Sequence, residues 1–419
     1  MISQYRALFA VPGFARLLVS SILGRLPSGM FSLAVLLLVR QQTGSFLDAG
    51  LAVGVFTLTG AALSPLQGTL VDRLGQTRVL LPCAIAQAIL LVMFMDVVRA
   101  GASLGVTLAV AALAGAFLPP VSGCVRALWA EVAPDAETLE TAYSLDAVTQ
   151  ESIYTLGPLL AGSVAVLVSP SSAILLCAAI VLVGTALFAS CPASRSWHPE
   201  SRAPSTGGAL ASGGLRTLLS SVLFAGAIIG AIEVGLPALS VRIGERGVAG
   251  LLLALFSLGS MAGGIMYSAR SSGSSSRNRY ARILLAVELL VAPLVLANSL
   301  PAALLFSAVA GLGIAPMLSC QFSLVGALAP RGTTTEAFSW HRGTTVAGIA
   351  LGSALGGWLI DRIGPGGAFA LSATGAALAC VIAAAAGSRL GPQQASRGDL
   401  PGVGKAGQTG SGVAETGYA

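Results

Sequence analysis

Four ionisable residues lie well inside long apolar runs: Arg25, Asp146, Glu151 and Glu233. A charge surrounded by hydrocarbon is costly unless it is paired or solvated, so such residues mark ion or proton pathways by default. A carboxylate whose surroundings alternate between dry and wet changes its affinity for a proton, because burial disfavours its charge and a nearby arginine favours it. Glu151 is therefore the first candidate for a proton-carrying carboxylate. Glu233, which precedes Pro237, is the second. Asp146 comes a little over one helical turn before Glu151 and either passes protons on or solvates the helix end together with Arg126. Gly24, Pro27 and Gly29 flank Arg25 and weaken a helix there, which frees backbone groups to meet a ligand. Glu288, His341 and Arg342 complete the set. Histidine titrates near neutral pH, but His341 lies close to one end of its run, so a structural role is expected of it.

Other chemistries lack their residues. There is no P-loop, and Lys405 is the one lysine against twenty-two arginines, so neither ATP hydrolysis nor a Schiff base within the membrane is supported. No nucleophile with a nearby base and no His/Asp/Glu cluster is visible, so no enzyme activity, cofactor or metal is expected. Six cysteines without a C-x-x-C pair read as small packing residues.

The elements that must position these charges are membrane helices. The chain has 419 residues, 55% hydrophobic and 10% charged, with a mean hydropathy of +0.84. That leaves too few polar side chains to cover a soluble core. Runs long enough to span a bilayer fall near 15–39, 49–71, 78–98, 104–129, 140–168, 172–190, 215–240, 247–269, 282–300, 302–327, 336–360 and 366–386. The expected fold is all-α and integral to the membrane, with twelve transmembrane helices in two pseudo-symmetric six-helix bundles. The first bundle is residues 1–190 and the second 215–386. Between them 191–214, rich in Ser, Pro, Gly and Arg, reads as a cytoplasmic linker, and 387–419 as a disordered cytoplasmic tail. With both termini cytoplasmic, sixteen basic residues fall inside and five outside, which the positive-inside rule favours. The net charge of +6 sits at helix ends and implies no nucleic acid. The arginine bias, with abundant Ala and Gly, reads as the mark of a GC-rich bacterial genome. The expected location is the cell (inner) membrane, as a monomer.

Between the second and third runs stands a charged knot, GTLVDRLGQTR, residues 68–78. GWLIDRIG, residues 357–364, nearly repeats its first eight positions after the eleventh run. Both are connections from second to third helix in three-helix units, one facing in and one facing out, as nested inverted repeats require. Gly68 and Gly75 permit close approach and a sharp turn. The eleventh run opens GTTTEAF, where Thr333 and Glu336 have capping-box spacing.

Gly68, Leu70, Asp72, Arg73, Gly75 and Arg78, together with the six-linker-six layout, resemble the signature loop and plan of the major facilitator superfamily. Gln76 and Thr77 depart from its usual basic pair, with Arg78 one residue later. The resemblance implies that this loop latches the two halves together in the outward-facing state and that Asp72 helps to hold helix 11. It also makes helices 1 and 5 neighbours, hence an expected Arg25–Glu151 pair. Gly157, Pro158 and Gly162, in GPLLAG, resemble the end of the family's helix 5 antiporter motif, with Ala161 in place of a glycine; small-residue packing explains them equally. Gly348, Gly352 and Gly356 recur one turn apart, as packed membrane helices do.

The expected function is secondary active transport of a small molecule by alternating access, driven by the proton gradient. Efflux of a drug or secondary metabolite comes first. Proton-coupled or facilitated uptake of a small polar nutrient is the alternative, and a non-transporting membrane sensor or assembly partner is the alternative of another class.

Overall fold

The computed structural model describes residues 6, 8–197, 208–245, 248–268 and 277–385. All regular elements among them are helical. The first six apolar runs become α1 (Phe14–Thr43), α2 (Phe46–Leu74), α3 (Gln76–Arg99), the pair α4 (Leu104–Ala116) and α5 (Val121–Val132), α6 (Ala136–Leu167) and α7 (Pro170–Ala189). A short α8 (Pro192–Ser196) and a 3₁₀ turn (Gly208–Ala211) follow. The second six become α9 (Gly213–Arg242), α10 (Ala249–Ser268), α11 (Arg277–Val291), the pair α12 (Leu300–Gly311) and α13 (Ile314–Leu328), α14 (Thr334–Ile363) and α15 (Pro365–Ala385). Residues 198–207, the middle of the expected linker, and 387–419, the expected disordered tail, lie outside the described residues.

Counting each broken pair as one, ten helices among the described residues are long and apolar enough to cross a membrane. The other two runs fold as helices but fail that test. α6 carries Glu137, Glu140, Asp146 and Glu151, and α11 gives way to a 3₁₀ segment (Ala292–Leu296) at Pro293. Helix termini follow local chemistry. Ser45, Asp135, Ser169 and Ser212 each accept an N–H from the first turn of their helices. The Thr138 N–H holds the exposed Asp135 carboxyl below the usual carboxylate range.

The breaks in the fourth run of each set have different local causes. Pro119 and Pro120 cannot donate backbone N–H groups and stop α4, whereas Leu312 and Gly313 separate α12 from α13. Both breaks leave a half-helix that begins partway along its span.

Within the first half α1 packs on α6 and α7, α3 on α7, and α2 on α4. Within the second half α9 packs on α14 and α15, α10 on α12, and α11 on α15. Gly348 and Gly352 bring α14 close to α9, where an added Cβ would press on the backbone of Gly226 and Ala227. The halves meet where α2 and α5 touch α14 and where α6 touches α10 and α13. One buried apolar cluster runs through both halves and joins Tyr143 to Phe322 and Phe338. A second, around Met30, Phe31, Phe94 and Ile174, belongs to the first half alone.

Candidate functional site: the seam between the two halves

The α2–α3 loop forms one side of the seam. Gly75 ends α2 with φ +94°, a conformation that favours glycine, and returns its N–H to Val71 at 2.9 Å. Asp72 is buried, and its carboxylate accepts the N–H groups of Thr335 at 3.1 Å and Glu336 at 2.8 Å. A residue of the first half thus caps the N-terminus of α14 in the second half, where the positive end of the helix dipole favours an acid. Gly68 makes this approach possible: a Cβ there would stand 2.7 Å from the Glu336 Cα. Arg73 and Arg78 are exposed and make no ion pair among the described residues, so Gly68 and Asp72 carry the contact. Gln76, the departure from the family loop, is buried. It donates to the Cys124 carbonyl at 3.3 Å and accepts from Ser194 of α8 at 2.9 Å, tying the loop to α5 and to the linker.

The capping box expected at Thr333 and Glu336 does not form. The Thr333 hydroxyl donates to the Pro330 carbonyl at 2.8 Å, and Glu336 accepts the Ala209 N–H at 3.0 Å. Of the two N–H groups a box would serve, that of Glu336 goes to Asp72 and that of Thr333 to the Pro330 carbonyl at 3.1 Å.

A second contact between the halves escaped the sequence reading. Glu140, buried near the start of α6, accepts from the Tyr267 hydroxyl at 3.0 Å and pairs with Arg279 at 2.5 Å, while the Arg279 guanidinium lies over the Tyr267 ring. It lies on the same seam as the Asp72 contact: a carboxylate near the start of the fifth helix is held by Tyr267 at the end of α10 and Arg279 at the start of α11. The available signal was Arg279 in the basic RNRYAR stretch, matched with an acid early in the fifth run.

The buried ion network corrects the expected Arg25–Glu151 pair. Arg25 binds Asp146 instead, at 2.8 Å, and completes its donors on the Ser21 carbonyl and hydroxyl. Arg126 takes the other Asp146 oxygen at 2.8 Å and Gln150 at 2.5 Å. One carboxylate thereby joins α1, α5 and α6. The Arg126 guanidinium also stacks 3.7 Å from the centre of the Phe322 ring in the other half, and Ser144 bonds to Ser319 across the seam at 2.8 Å.

Glu151 lies apart from this network, half-buried on α6, close enough to Glu233 on α9 for their charges to repel. Glu233 is exposed, and α6 and α9 are not packed against one another. The two carboxylates, one from each half, therefore lie within reach of each other's charge although their helices are not packed together. His341 is buried within the second half, with Nε2 at 2.9 Å from the Gln321 amide oxygen; Gln321 in turn donates to Tyr280 at 3.0 Å. This agrees with a structural role. Gly157 packs against the backbone of Gly29 in α1, while Gly162 meets only Leu33; these contacts are packing. No group of three or more His, Cys, Asp or Glu able to hold a metal occurs among the described residues.

A halved helical bundle with a capped, glycine-lined loop at its seam meets its match in sequence. The family model of the Major Facilitator Superfamily covers residues 17–287 and 218–408. The chain belongs to the Major Facilitator Superfamily. Solved structures agree with that fold. The human organic anion transporter MFSD10 (TETRAN) is 19% identical with a TM-score of 0.70, covering 89% of this chain and 99% of its own. A bacterial homologue of the iron transporter ferroportin, in its outward-facing state, is 16% identical with a TM-score of 0.70, covering 88% and 98%. The transporter FucP, in its outward conformation, is 17% identical with a TM-score of 0.70, covering 89% and 98%. No curated protein sequence matches. As a superfamily member the chain is a membrane transporter.

Proposed function

We propose that the protein is a proton-coupled exporter of a small organic molecule such as a drug or secondary metabolite. It has twelve spans in two bundles, residues 1–190 and 215–386, with the linker, the tail and both termini on the cytoplasmic side of the cell membrane. The observation that carries this reading is the placement of Glu151 and Glu233, one per half, within reach of each other's charge and outside the paired ion network. In this orientation the latches of Asp72 and Glu140 seal the cytoplasmic end, and the conformation is outward-facing. Protons enter from outside onto Glu151 and leave inward once the latches release and the bundles rock. The Arg25–Asp146–Arg126 network keeps α1, α5 and α6 rigid through that motion, because breaking it would strand buried charges.

Expression in an efflux-deficient bacterium, with accumulation of a broad compound panel measured with and without a protonophore, tests the proposal. Lower accumulation of a compound class, abolished by the protonophore, is expected. Raised accumulation of a nutrient would reverse the direction, and unchanged accumulation of every compound would contradict export.

A further inference from the structure

A groove runs between α3 and α7 on the flank of the first half. Its floor is Ala88, Ala178 and Ala179, and its walls include Val92, Met93 and Leu182. Its volume is about 730 Å³. Alanine along the floor leaves a furrow that a leucine at the same positions would fill.

Three observations bear on what covers it. The first is where it faces. The second-half helices of the seam, α10, α13 and α14, pack on α2, α5 and α6 rather than on α3 or α7. Along the groove Ile89 is 61% exposed and Leu175 45%, on helices long and apolar enough to cross a membrane, so its open side meets the lipid. The second is length. On α3 the lining runs from Ala88 to Ala100, about 18 Å at the helical rise, a little over half of the roughly 30 Å hydrocarbon layer. That is the reach of the chains of one leaflet. The third is charge. Asp96, close to the end of α3, is the one ionisable residue in the lining. Arg99 follows three residues later, on a neighbouring part of the helix surface. Both side chains are exposed, and neither is in an ion pair among the described residues. An apolar furrow one leaflet long thus ends at a free carboxylate with a free guanidinium beside it.

We propose that the groove binds a phospholipid whose headgroup carries a primary amine. One acyl chain lies on the alanine floor, the ammonium donates to the Asp96 carboxylate, and the phosphate lies at Arg99, whose guanidinium suits phosphate oxygens. A primary ammonium has three N–H donors for the carboxylate, whereas a trimethylated one has none. In the orientation proposed above, this lipid belongs to the outer leaflet.

Native mass spectrometry of the purified, delipidated full-length protein reads lipid adducts and oligomeric state together. Phosphatidylethanolamine and phosphatidylcholine with identical chains are titrated in; both are zwitterionic and differ only in the N–H donors of the head. The wild type should hold phosphatidylethanolamine about tenfold more tightly, as one charge-assisted contact gives. Asp96→Asn should bring it down to the level of phosphatidylcholine. Ala179→Phe, which fills the furrow from an exposed position, should weaken both lipids while the thermal midpoint in detergent stays that of the wild type. Equal binding of the two lipids by the wild type, or an undiminished preference in Asp96→Asn, overturns the proposal. So do unchanged adducts in Ala179→Phe, which would place the lipid elsewhere. A wild-type dimer that Ala179→Phe dissolves would give the groove to a second copy of the chain and overturn it as well.

Discussion

GTLVDRLG and GWLIDRIG build the same local structure and meet different surroundings. Each ends a helix with a positive-φ glycine, Gly75 at +94° and Gly364 at +80°, whose N–H returns to the residue four before it at 2.9 Å. At the seam, Asp72 is buried and caps α14, and Gly68 lies against Glu336 and Ser339. At the other end of α14, Asp361 is exposed, Arg362 lies over its own Trp358, and a Cβ on Gly357 would meet nothing within 4 Å. The eight-residue pattern therefore specifies a helix stop. Function is added by the neighbouring helix, which is present at one end of the seam and absent at the other.

The comparison can be broken most forcefully at its first position. Gly68→Leu would drive a side chain into α14 backbone, and overpacking of this kind costs about 3 kcal/mol or more. Distances measured between spin labels on the α2–α3 loop and the start of α14 should lengthen and transport should fall to background. Gly357→Leu should leave both unchanged. Equal effects would show that the glycines act only through their own helices.

The next effect is at the acid. Asp72→Asn loses charge-assisted hydrogen bonds to α14, about 1.5–3 kcal/mol, so turnover in vesicles should drop by roughly tenfold or more. Asp361→Asn should stay within about 0.5 kcal/mol of wild type, as exposed substitutions do. Undiminished turnover in Asp72→Asn would reject the latch.

Smaller still is the second latch. Glu140→Gln keeps a hydrogen-bond acceptor for Tyr267 but removes the negative charge paired with Arg279. A partial loss of turnover, smaller than for Asp72→Asn, is expected, and the double variant should exceed either single one. A double variant no worse than Asp72→Asn would mean that Glu140 does not hold the seam.

Much of this was legible in the chain. Apolar runs located most of the long helices to within a few residues, but the helix of the ninth run stops at Val291, nine residues short of the expected end at 300, and the breaks after Ala116 and Gly311 were not visible in hydropathy; the knot located the seam. The partner of Arg25 was not legible, because a run of apolar residues fixes depth and leaves rotation open. Asp146 and Glu151 are five residues apart, which on an α-helix turns them about 140° from one another. Once Asp146 faces Arg25 and Arg126, Glu151 must face elsewhere, and it comes within reach of the Glu233 charge. Depth also misled at Thr333 and Glu336, whose spacing suits a box that a carboxylate from another helix displaces. Glu140 was missed because its partners lie more than a hundred residues away in sequence.

The central claim is that Glu151 couples protons to the motion of the two halves. Its most direct test is transport of an identified substrate into vesicles under an imposed pH gradient, comparing wild type with Glu151→Gln, with folding checked by thermal denaturation. The account predicts that the variant stays folded, exchanges substrate at equilibrium, and gains nothing from the gradient. Full gradient-driven accumulation in Glu151→Gln would contradict it.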